Sequence, residues 1–159
     1  MVDCIQLCLR LKVASLEDLA RRAPELSFGT DIEFPLRPEW KAVQSAYGLK
    51  FRRLTSYQPT FMYRALEDGQ ADVISAFSSD GRIDADHLVV LADPRRALPP
   101  YDAVILISPR HAHDPRLIAA LQPLVGSIDA AAMRRANYAV DRPTNKLTPA
   151  QAAETLGPR

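Results

Sequence analysis

The sequence predicts an α/β fold in which a mostly parallel sheet is flanked by helices and is followed by a helical C-terminal tail. Over the first two thirds of the chain, short apolar runs that end in turn signals alternate with segments of helical periodicity, as in βαβ units. The run from Ala71 to Phe77 is typical of a strand buried on both faces. Towards the C-terminus, apolar residues recur only at helical spacing.

The first elements are recognised by signals at their ends. Residues Ile5 to Val13 alternate loosely in polarity and predict a strand. Ser15, with Asp18 three residues later, has the pattern of a capping box at the start of a short helix that ends near Arg22. The segment from Leu26 to Gly29 then predicts a brief strand.

A polar loop and two further helices follow. The loop covers residues 30–37, after which Pro38 begins a helix that Gly48 ends. A second strand is predicted from Phe51 to Leu54, and Pro59 begins the next helix. The apolar stripes of these two helices are Trp40, Val43 and Tyr47 in the first, and Met62, Ala65 and Leu66 in the second.

The rest of the chain contains two predicted strands and three predicted helices. A strand from Leu88 to Leu91 precedes a turn from Asp93 to Arg96, which we expect to be solvated. Two prolines then stiffen the chain ahead of an apolar strand from Ala103 to Ile107. The helices begin at Asp114, Asp129 and Thr148, and the apolar face of the first is Leu117, Ile118, Leu121 and Leu124.

Composition narrows the class of protein. The 159 residues are 47% hydrophobic and 25% charged, as is ordinary for a globular protein with a core. A net charge of +1, with basic and acidic residues interspersed, argues against a nucleic-acid partner. Cys4 and Cys8 lie four residues apart, but no further zinc ligands lie nearby, so both are interpreted as small packed residues.

The sequence contains no recognisable catalytic motif. It has neither a nucleophile elbow nor a glycine-rich phosphate loop, and we predict that the protein is not an enzyme and needs no cofactor. His111 and His113 could hold a metal from an extended segment, but a third ligand is not evident and a surface loop is the favoured interpretation.

A binding site is the alternative to catalysis. A quaternary ammonium group has no hydrogen-bond donor, so aromatic faces and nearby negative charge must hold it. Phe34, Phe77 and Tyr101 lie near predicted strand ends or loops, although core packing explains Phe77 at least as well. Arg82 or Arg37 could bind a carboxylate on the same ligand.

The sequence also resembles a known family, the substrate-binding proteins of glycine betaine/choline/carnitine-type ABC importers. The resemblance extends from about Ser15 to Leu156. Its motifs, in order, are Leu26-Ser27-Phe28-Gly29, Glu33-Phe34, Arg37, Tyr47-Gly48-Leu49, Tyr63-Arg64-Ala65-Leu66, Gly69, Ala71-Asp72-Val73, Phe77-Ser78-Ser79-Asp80-Gly81-Arg82-Ile83, Leu91, Pro99-Pro100-Tyr101-Asp102-Ala103, Leu124-Val125-Gly126-Ser127-Ile128-Asp129, Met133 and Asn137-Tyr138-Ala139-Val140-Asp141.

This resemblance implies a type II periplasmic-binding-protein fold, in which two α/β lobes joined by crossover strands close on a small quaternary amine. Residues 1–14 would be a crossover remnant, 15–100 the second lobe, and 101–159 the return crossover strand with C-terminal helices. Most of the first lobe is therefore expected to be absent from this sequence. The implied partners are a quaternary-ammonium ligand and an ABC permease, and the implied location is periplasmic or extracytoplasmic, although the N-terminus has no convincing signal peptide.

The resemblance also implies a set of ligand-binding residues. They are Glu33, Phe34, Arg37, Ser79, Asp80, Arg82 and Tyr101. Within this set we expect Asp80 to shape its loop and Ser79 and Arg82 to touch the ligand. The sequence departs from the family pattern at two places, with Pro38-Glu39-Trp40 after the arginine and Ser79 in place of threonine. These departures leave the identity of the ligand undecided. A regulator's sensing or scaffolding domain, or a remnant without binding activity, is the alternative, and a homodimer could cover the surface left by the missing lobe.

Overall fold

The structure is a computed structural model that describes the backbone of Val2–Cys4 and residues 12–100 and 102–156. Five strands form one sheet. They are β1 (Val2–Cys4), β2 (Ser27–Thr30), β3 (Arg53–Ser56), β4 (Val73–Ile74) and β5 (Leu88–Val90). The α-helices are α1 (Leu16–Arg22), α2 (Pro38–Tyr47), α3 (Pro59–Glu67), α4 (Arg82–Ala85), α5 (Pro115–Leu121), α6 (Ala130–Asp141) and α7 (Pro149–Glu154). Three short 3₁₀ helices cover Ala23–Glu25, Phe34–Leu36 and Gln122–Leu124.

The sheet has the strand order β3-β2-β4-β1-β5. Strand β2 pairs in parallel with both β3 and β4, whereas β1 runs antiparallel to β4 and β5. Strands β2 to β5 therefore all run in the same direction. The predicted class, a mostly parallel sheet flanked by helices, is confirmed. Strand β1 lies in the 1–14 segment that the resemblance implies to be a crossover remnant, and it runs antiparallel to both of its neighbours.

Two apolar clusters cover the sheet. Val73 belongs to the cluster that contains Phe28, Trp40 and Leu19, whereas its neighbour Ile74 belongs to the cluster that contains Met62. Because successive side chains of a strand point to opposite faces, the two clusters lie on opposite sides of the sheet. Both Val73 and Ile74 are fully buried, as expected for a central strand covered on both faces.

Helix ends follow the local signals in the sequence. Asp18 and Ser15 form the predicted capping box, in which the Asp18 N–H donates to Ser15 Oγ at 3.2 Å and the Ser15 N–H donates to Asp18 Oδ2 at 3.1 Å. Pro38 is the first residue of α2, and Gly48 ends this helix with φ of 66°. Asp114, Asp129 and Thr148 cap α5, α6 and α7.

Some predicted strands are wrong in extent. The strand expected from Ala71 to Phe77 is limited to β4, and the strand expected from Phe51 to Leu54 is displaced to β3, which pairs with β2 from Ser27 to Thr30. The strand expected from Ala103 to Ile107 is not formed, and residues 102–107 make no strand pairing with any described part of the chain. An apolar run becomes a strand only beside a neighbouring strand. Most of the predicted strand from Ile5 to Val13 lies outside the described residues.

The C-terminal part leaves much apolar surface exposed. The predicted apolar face of α5 is not buried, since Ile118 is 41% exposed and Leu124 beyond it is 56% exposed. Leu106 in the preceding segment is 89% exposed. In contrast, α6 packs against α4 and α7, and its Ala136 is buried.

Candidate ligand-binding face

Three loops leave the sheet at the carboxyl ends of its parallel strands. Residues 31–37 follow β2, residues 57–58 follow β3 and lead into α3, and residues 75–81 follow β4. Since these three strands are neighbours and run in parallel, their loops emerge at one edge, which we call the carboxyl edge. In α/β sheets, ligands bind outside this edge.

The 31–37 loop holds three of the predicted site residues. Asp31 accepts hydrogen bonds from the Glu33 and Phe34 N–H groups, each at 2.8 Å. Glu33 and Arg37 form an ion pair at 2.7 Å, with the Glu33 side chain 76% exposed. The ring of Phe34 is half-buried and lies 5.8 Å from the Trp40 ring, so it contributes to the aromatic core as well as to the loop.

Asp80 fixes the shape of the loop after β4. Its Oδ2 accepts a hydrogen bond from the Tyr63 hydroxyl at 2.6 Å and one from the Phe77 N–H at 3.2 Å. Burial, together with the hydrogen bond to Asp80, raises the pKa of Tyr63 well above its ordinary value, so this hydroxyl stays protonated and donates at neutral pH. The Asp80 carboxylate is therefore engaged by the protein itself.

Ser79 and Arg82 are half-buried, as Asp80 is. The Ser79 backbone carbonyl accepts from Asn137, while its side chain is half-buried. Arg82 donates through Nε to Asp86 at 2.9 Å, and its guanidinium carbon lies 5.4 Å from the centre of the Tyr63 ring. The cation–π contact and the ion pair hold the guanidinium in one place on the surface.

Arg82 lies between two shallow grooves. One groove, of about 270 Å³, is lined by Arg82, Asp86, Tyr138, Asp141, Arg142 and Pro143. The other, of about 230 Å³, is lined by Thr60, Phe61, Arg64, Glu67 and Arg82. Because Thr60 and Phe61 lie in the first turn of α3, just after the carboxyl end of β3, the second groove opens towards the carboxyl edge.

Exposed aromatic side chains also lie at the carboxyl edge. Phe77, three residues after β4, is 51% exposed, so the core-packing interpretation favoured from the sequence is wrong for it. Phe61 is 53% exposed and received no role from the sequence. Its position beside, rather than on, the Met62–Ala65–Leu66 stripe of α3 was the signal that could have identified it.

The predicted site residues thus fall into two groups at one edge. Glu33 and Arg37 pair with each other on the 31–37 loop, and Asp80 and Arg82 both contact Tyr63. Tyr101 lies outside the described residues, so its predicted contact with the ligand stays a prediction.

The described residues form neither a metal-binding cluster nor a membrane-spanning helix. Within residues 12–100 and 102–156, His, Cys, Asp and Glu side chains do not gather in groups of three that could hold a metal ion. None of the helices in these ranges has the length and apolar character needed to cross a bilayer.

Known proteins with similar sequences and structures identify the family. The family described as the substrate-binding domain of ABC-type glycine betaine transport systems matches residues 8–155. The chain is 32% identical over 133 residues to the carnitine transport binding protein OpuCC of Listeria monocytogenes, covering 80% of this chain and 42% of that protein. It is 26% identical over 149 residues to an ergothioneine transport permease/binding protein of Helicobacter pylori, covering 91% of this chain and 27% of that protein.

A solved structure gives the same result. The crystal structure of a glycine betaine/carnitine/choline ABC transporter protein superposes with a TM-score of 0.77 at 28% identity, covering 96% of this chain and 56% of that one. The chain therefore spans about half the length of this structure and less than half of the curated relatives above. The family is one of transport binding proteins and not of enzymes. The match across residues 8–155, together with the periplasmic-binding-protein fold, places this chain in the family of substrate-binding domains of ABC-type glycine betaine transport systems.

Proposed function

We propose that this chain forms a ligand-facing lobe of the solute-binding component of an ABC importer for quaternary-ammonium osmoprotectants such as glycine betaine, choline or carnitine. In this role it works outside the cytoplasm, delivers its ligand to a permease, and catalyses no reaction. The family to which the chain belongs, and the carnitine and glycine betaine named for its relatives, support this ligand class.

The observation that carries the proposal is the pair of exposed aromatic rings at the carboxyl edge. Phe61 follows β3 and Phe77 follows β4, the two parallel strands that flank β2, and each ring is about half exposed. A trimethylammonium group offers no N–H donor, so it is held by ring faces, each contributing about 0.5–2 kcal/mol. The Glu33 carboxylate at the same edge is balanced by its ion pair with Arg37, so the rings carry recognition of the cation.

A carboxylate on the ligand has a matching partner in Arg82. Its Nε donates to Asp86 at 2.9 Å, and its side chain lines both grooves, so the terminal nitrogens of the guanidinium are the atoms that we assign to a ligand carboxylate. Guanidinium groups bind carboxylates in a bidentate manner, which suits glycine betaine and carnitine but not choline. Ser79, half-buried in the same loop, is the second polar group that we assign to the ligand.

Exposed apolar side chains favour a second candidate, a sensing or scaffolding domain that acts by association. Val104, Leu106 and Val125 are 72%, 89% and 67% exposed, and large exposed apolar patches mark interaction surfaces. In this case the chain forms a homodimer. Light scattering at increasing protein concentration distinguishes a dimer from a monomer, and V104D/L106D tests whether this segment holds the dimer together.

The ligand is tested by titrating the ¹⁵N-labelled chain with glycine betaine, choline, carnitine and glycine, followed by NMR. Two ring faces supply only about 1–4 kcal/mol, so a Kd in the millimolar range, equivalent to about −4 kcal/mol, is the expected outcome. Glycine, which lacks the methyl groups, should not bind. A response to glycine or other amino acids, with none to the trimethylammonium compounds, would contradict the proposal.

Two substitutions at Phe77 form a matched pair for the same titration. Phe77→Leu keeps an apolar side chain but removes the ring, and should weaken binding of glycine betaine by about 2- to 30-fold, the equivalent of one aromatic face. Phe77→Tyr keeps the ring and should bind as the wild type does. Equal affinities of the two variants would exclude a role for the Phe77 ring.

A further inference from the structure

The loop that carries Phe77 and Ser79 and leads into Arg82 is held from two sides. We call residues 77–81 the 77–81 loop. On one side, the Tyr63 hydroxyl of α3 donates to Asp80 at 2.6 Å. On the other side, α6 donates two hydrogen bonds to the loop backbone, from residues more than 50 positions further along the chain.

The two donors of α6 bind consecutive carbonyl groups. Arg134 Nε donates to the Ser78 carbonyl at 2.7 Å, and Asn137 Nδ2 donates to the Ser79 carbonyl at 2.9 Å. Arg134 and Asn137 lie three residues apart, so they share one face of the helix. Arg134 also donates through a terminal nitrogen to Asp84 at 2.9 Å, and its side chain is only 21% exposed.

Backbone packing brings α6 unusually close to the end of the loop. A Cβ atom on Gly81 would lie 2.4 Å from the Tyr138 nitrogen and 2.7 Å from the Arg134 carbonyl oxygen. Both are backbone atoms, so they cannot move aside as a flexible side chain would. Gly81 therefore permits the close approach that places Arg134 and Asn137 within reach of the loop carbonyls.

The loop has few backbone hydrogen bonds of its own. Within it, the Asp80 N–H donates to the Phe77 carbonyl at 3.0 Å, and beyond it the Ile83 N–H donates to the Asp80 carbonyl at 3.2 Å. The carbonyls of Ser78 and Ser79 accept from α6 instead. Hydrogen bonds from a charged donor are worth about 1.5–3 kcal/mol, enough to select one loop conformation among several.

We propose that Arg134 and Asn137 are positioning residues, which clamp the 77–81 loop in the conformation that presents Phe77 and Ser79 to the ligand. Neither side chain need touch the ligand. The assignment of the ligand to this loop rests on the proposed function, whereas the clamp itself does not. In this way the C-terminal helix α6 sets ligand affinity although it lies far from the loop in sequence.

The clamp is tested by amide hydrogen exchange in Arg134→Gln and Asn137→Asp. Asn137→Asp keeps the shape of the side chain but turns the donor towards Ser79 into an acceptor. Each variant should speed exchange of the amides of residues 77–83 about tenfold, as loss of one such hydrogen bond predicts. Exchange in β2 and β3 should not change. The matched control is Arg135→Gln on the exposed neighbour of Arg134, and Arg134→Lys, which retains one donor, should restore part of the protection.

Each outcome of this experiment decides the question. Unchanged exchange in both variants, or equal acceleration throughout the sheet or in Arg135→Gln, would overturn the clamp. A positioning role further requires that Arg134→Gln and Asn137→Asp weaken glycine betaine binding while Arg135→Gln does not. Faster exchange with unchanged affinity would overturn that role. If the wild-type chain binds no trimethylammonium compound, the proposed function fails, and the exchange data still decide whether α6 clamps the loop.

Discussion

Replacing Gly81 by alanine tests the close contact between the 77–81 loop and α6. The φ of Gly81 is −66°, a value that alanine adopts without strain. In the absence of a clash, a glycine-to-alanine change at such a position stabilises a protein by about 0.4–1 kcal/mol, because the unfolded chain loses freedom. The contact with the Tyr138 and Arg134 backbone reverses this expectation.

The structure sets the size of the effect. A Cβ atom 2.4 Å from the Tyr138 nitrogen must displace α6 or the loop, since real Cβ atoms do not approach this closely. Overpacking of this kind costs about 1–3 kcal/mol, which exceeds the entropic gain. We therefore expect Gly81→Ala to lower the free energy of unfolding, with a fall in Tm of about 2–4 °C for each kcal/mol in a chain of this size.

Urea denaturation followed by circular dichroism measures the change in the free energy of unfolding. The control is Gly48→Ala, where φ is 66° and a Cβ atom would meet nothing within 4 Å. Gly48→Ala destabilises the protein through backbone strain alone, so the NMR chemical-shift changes that it causes should stay near the end of α2. Those of Gly81→Ala should extend into α6 around Tyr138. A Gly81→Ala variant as stable as the wild type, or more stable, would refute the close contact.

Two further predictions concern buried hydroxyl and carboxylate groups. Tyr63→Phe removes a donor from Asp80 and should lower the free energy of unfolding at neutral pH by about 1.5–3 kcal/mol, measured by urea denaturation. Because the pKa of Tyr63 is raised in the folded protein, the stability that its hydroxyl contributes is fully present below the ordinary value of 10.0 and is lost as the pH rises above it. Tyr63→Phe should therefore lose less stability at alkaline pH than the wild type. Burial alone would raise the pKa of Asp93. Hydrogen bonds from the Leu98 N–H and the Tyr47 hydroxyl outweigh burial, so the pKa is lowered from its ordinary value of 3.8. The stability that Asp93 contributes is therefore present above pH 3.8 and is lost as the pH falls through the lower pKa of the folded protein. Asp93→Asn should destabilise the protein more at pH about 7 than at pH about 3.

Each of these two predictions has its own control. Tyr57→Phe removes another tyrosine hydroxyl packed against the same apolar cluster without changing the bond to Asp80, and is the control for Tyr63→Phe at neutral pH. If Tyr63→Phe and the wild type lose stability in parallel above pH about 10, the bond to Asp80 is not maintained in solution. For Asp93→Asn, the control is Asp102→Asn at an exposed position. If Asp93→Asn destabilises the protein equally at both pH values, the assigned hydrogen bonds to the Asp93 carboxylate are contradicted.

The sequence was most informative where structure is determined locally. The capping box of Ser15 and Asp18, the helix start at Pro38 and the left-handed Gly48 depend only on residues within one helical turn. The ordered motifs identified the family and the fold class, because together they combine many weak local signals. Each of these predictions is confirmed in the structure or by the family match.

The predictions that were wrong depend on distant parts of the chain. The apolar run from Ala103 to Ile107 makes no strand, because pairing requires a neighbour that the run itself does not specify. The turn from Asp93 to Arg96 is solvated as expected at residues 94–96, but the sequence did not indicate that Asp93 accepts from the Tyr47 hydroxyl or that Arg95 lies over the Tyr47 ring at 5.1 Å. Asp93 and Tyr47 are 46 residues apart, so periodicity could not indicate the contact.

The candidate site was predictable in position but not in detail. Strand-end loops at the carboxyl edge followed from the α/β pattern, and Asp80 lies in such a loop while Arg82 begins the helix that follows it. The exposure of Phe61 and Phe77 did not follow, because apolar residues are assigned to the core by default and only the packed structure shows which remain at the surface. Arg134 and Asn137 could likewise not be identified from the sequence as partners of the loop, since their hydrogen bonds to it are tertiary contacts.

The central claim is that aromatic rings at the carboxyl edge hold a trimethylammonium group. Intermolecular nuclear Overhauser effects between the N-methyl protons of glycine betaine and the ring protons of the labelled chain test it most directly. Cross-peaks from the methyl protons to Phe61 and Phe77 are expected, with none to Phe28, which is buried in the core. Cross-peaks confined to residues away from the carboxyl edge, or none at ligand concentrations well above the millimolar Kd expected from two ring faces, would contradict it.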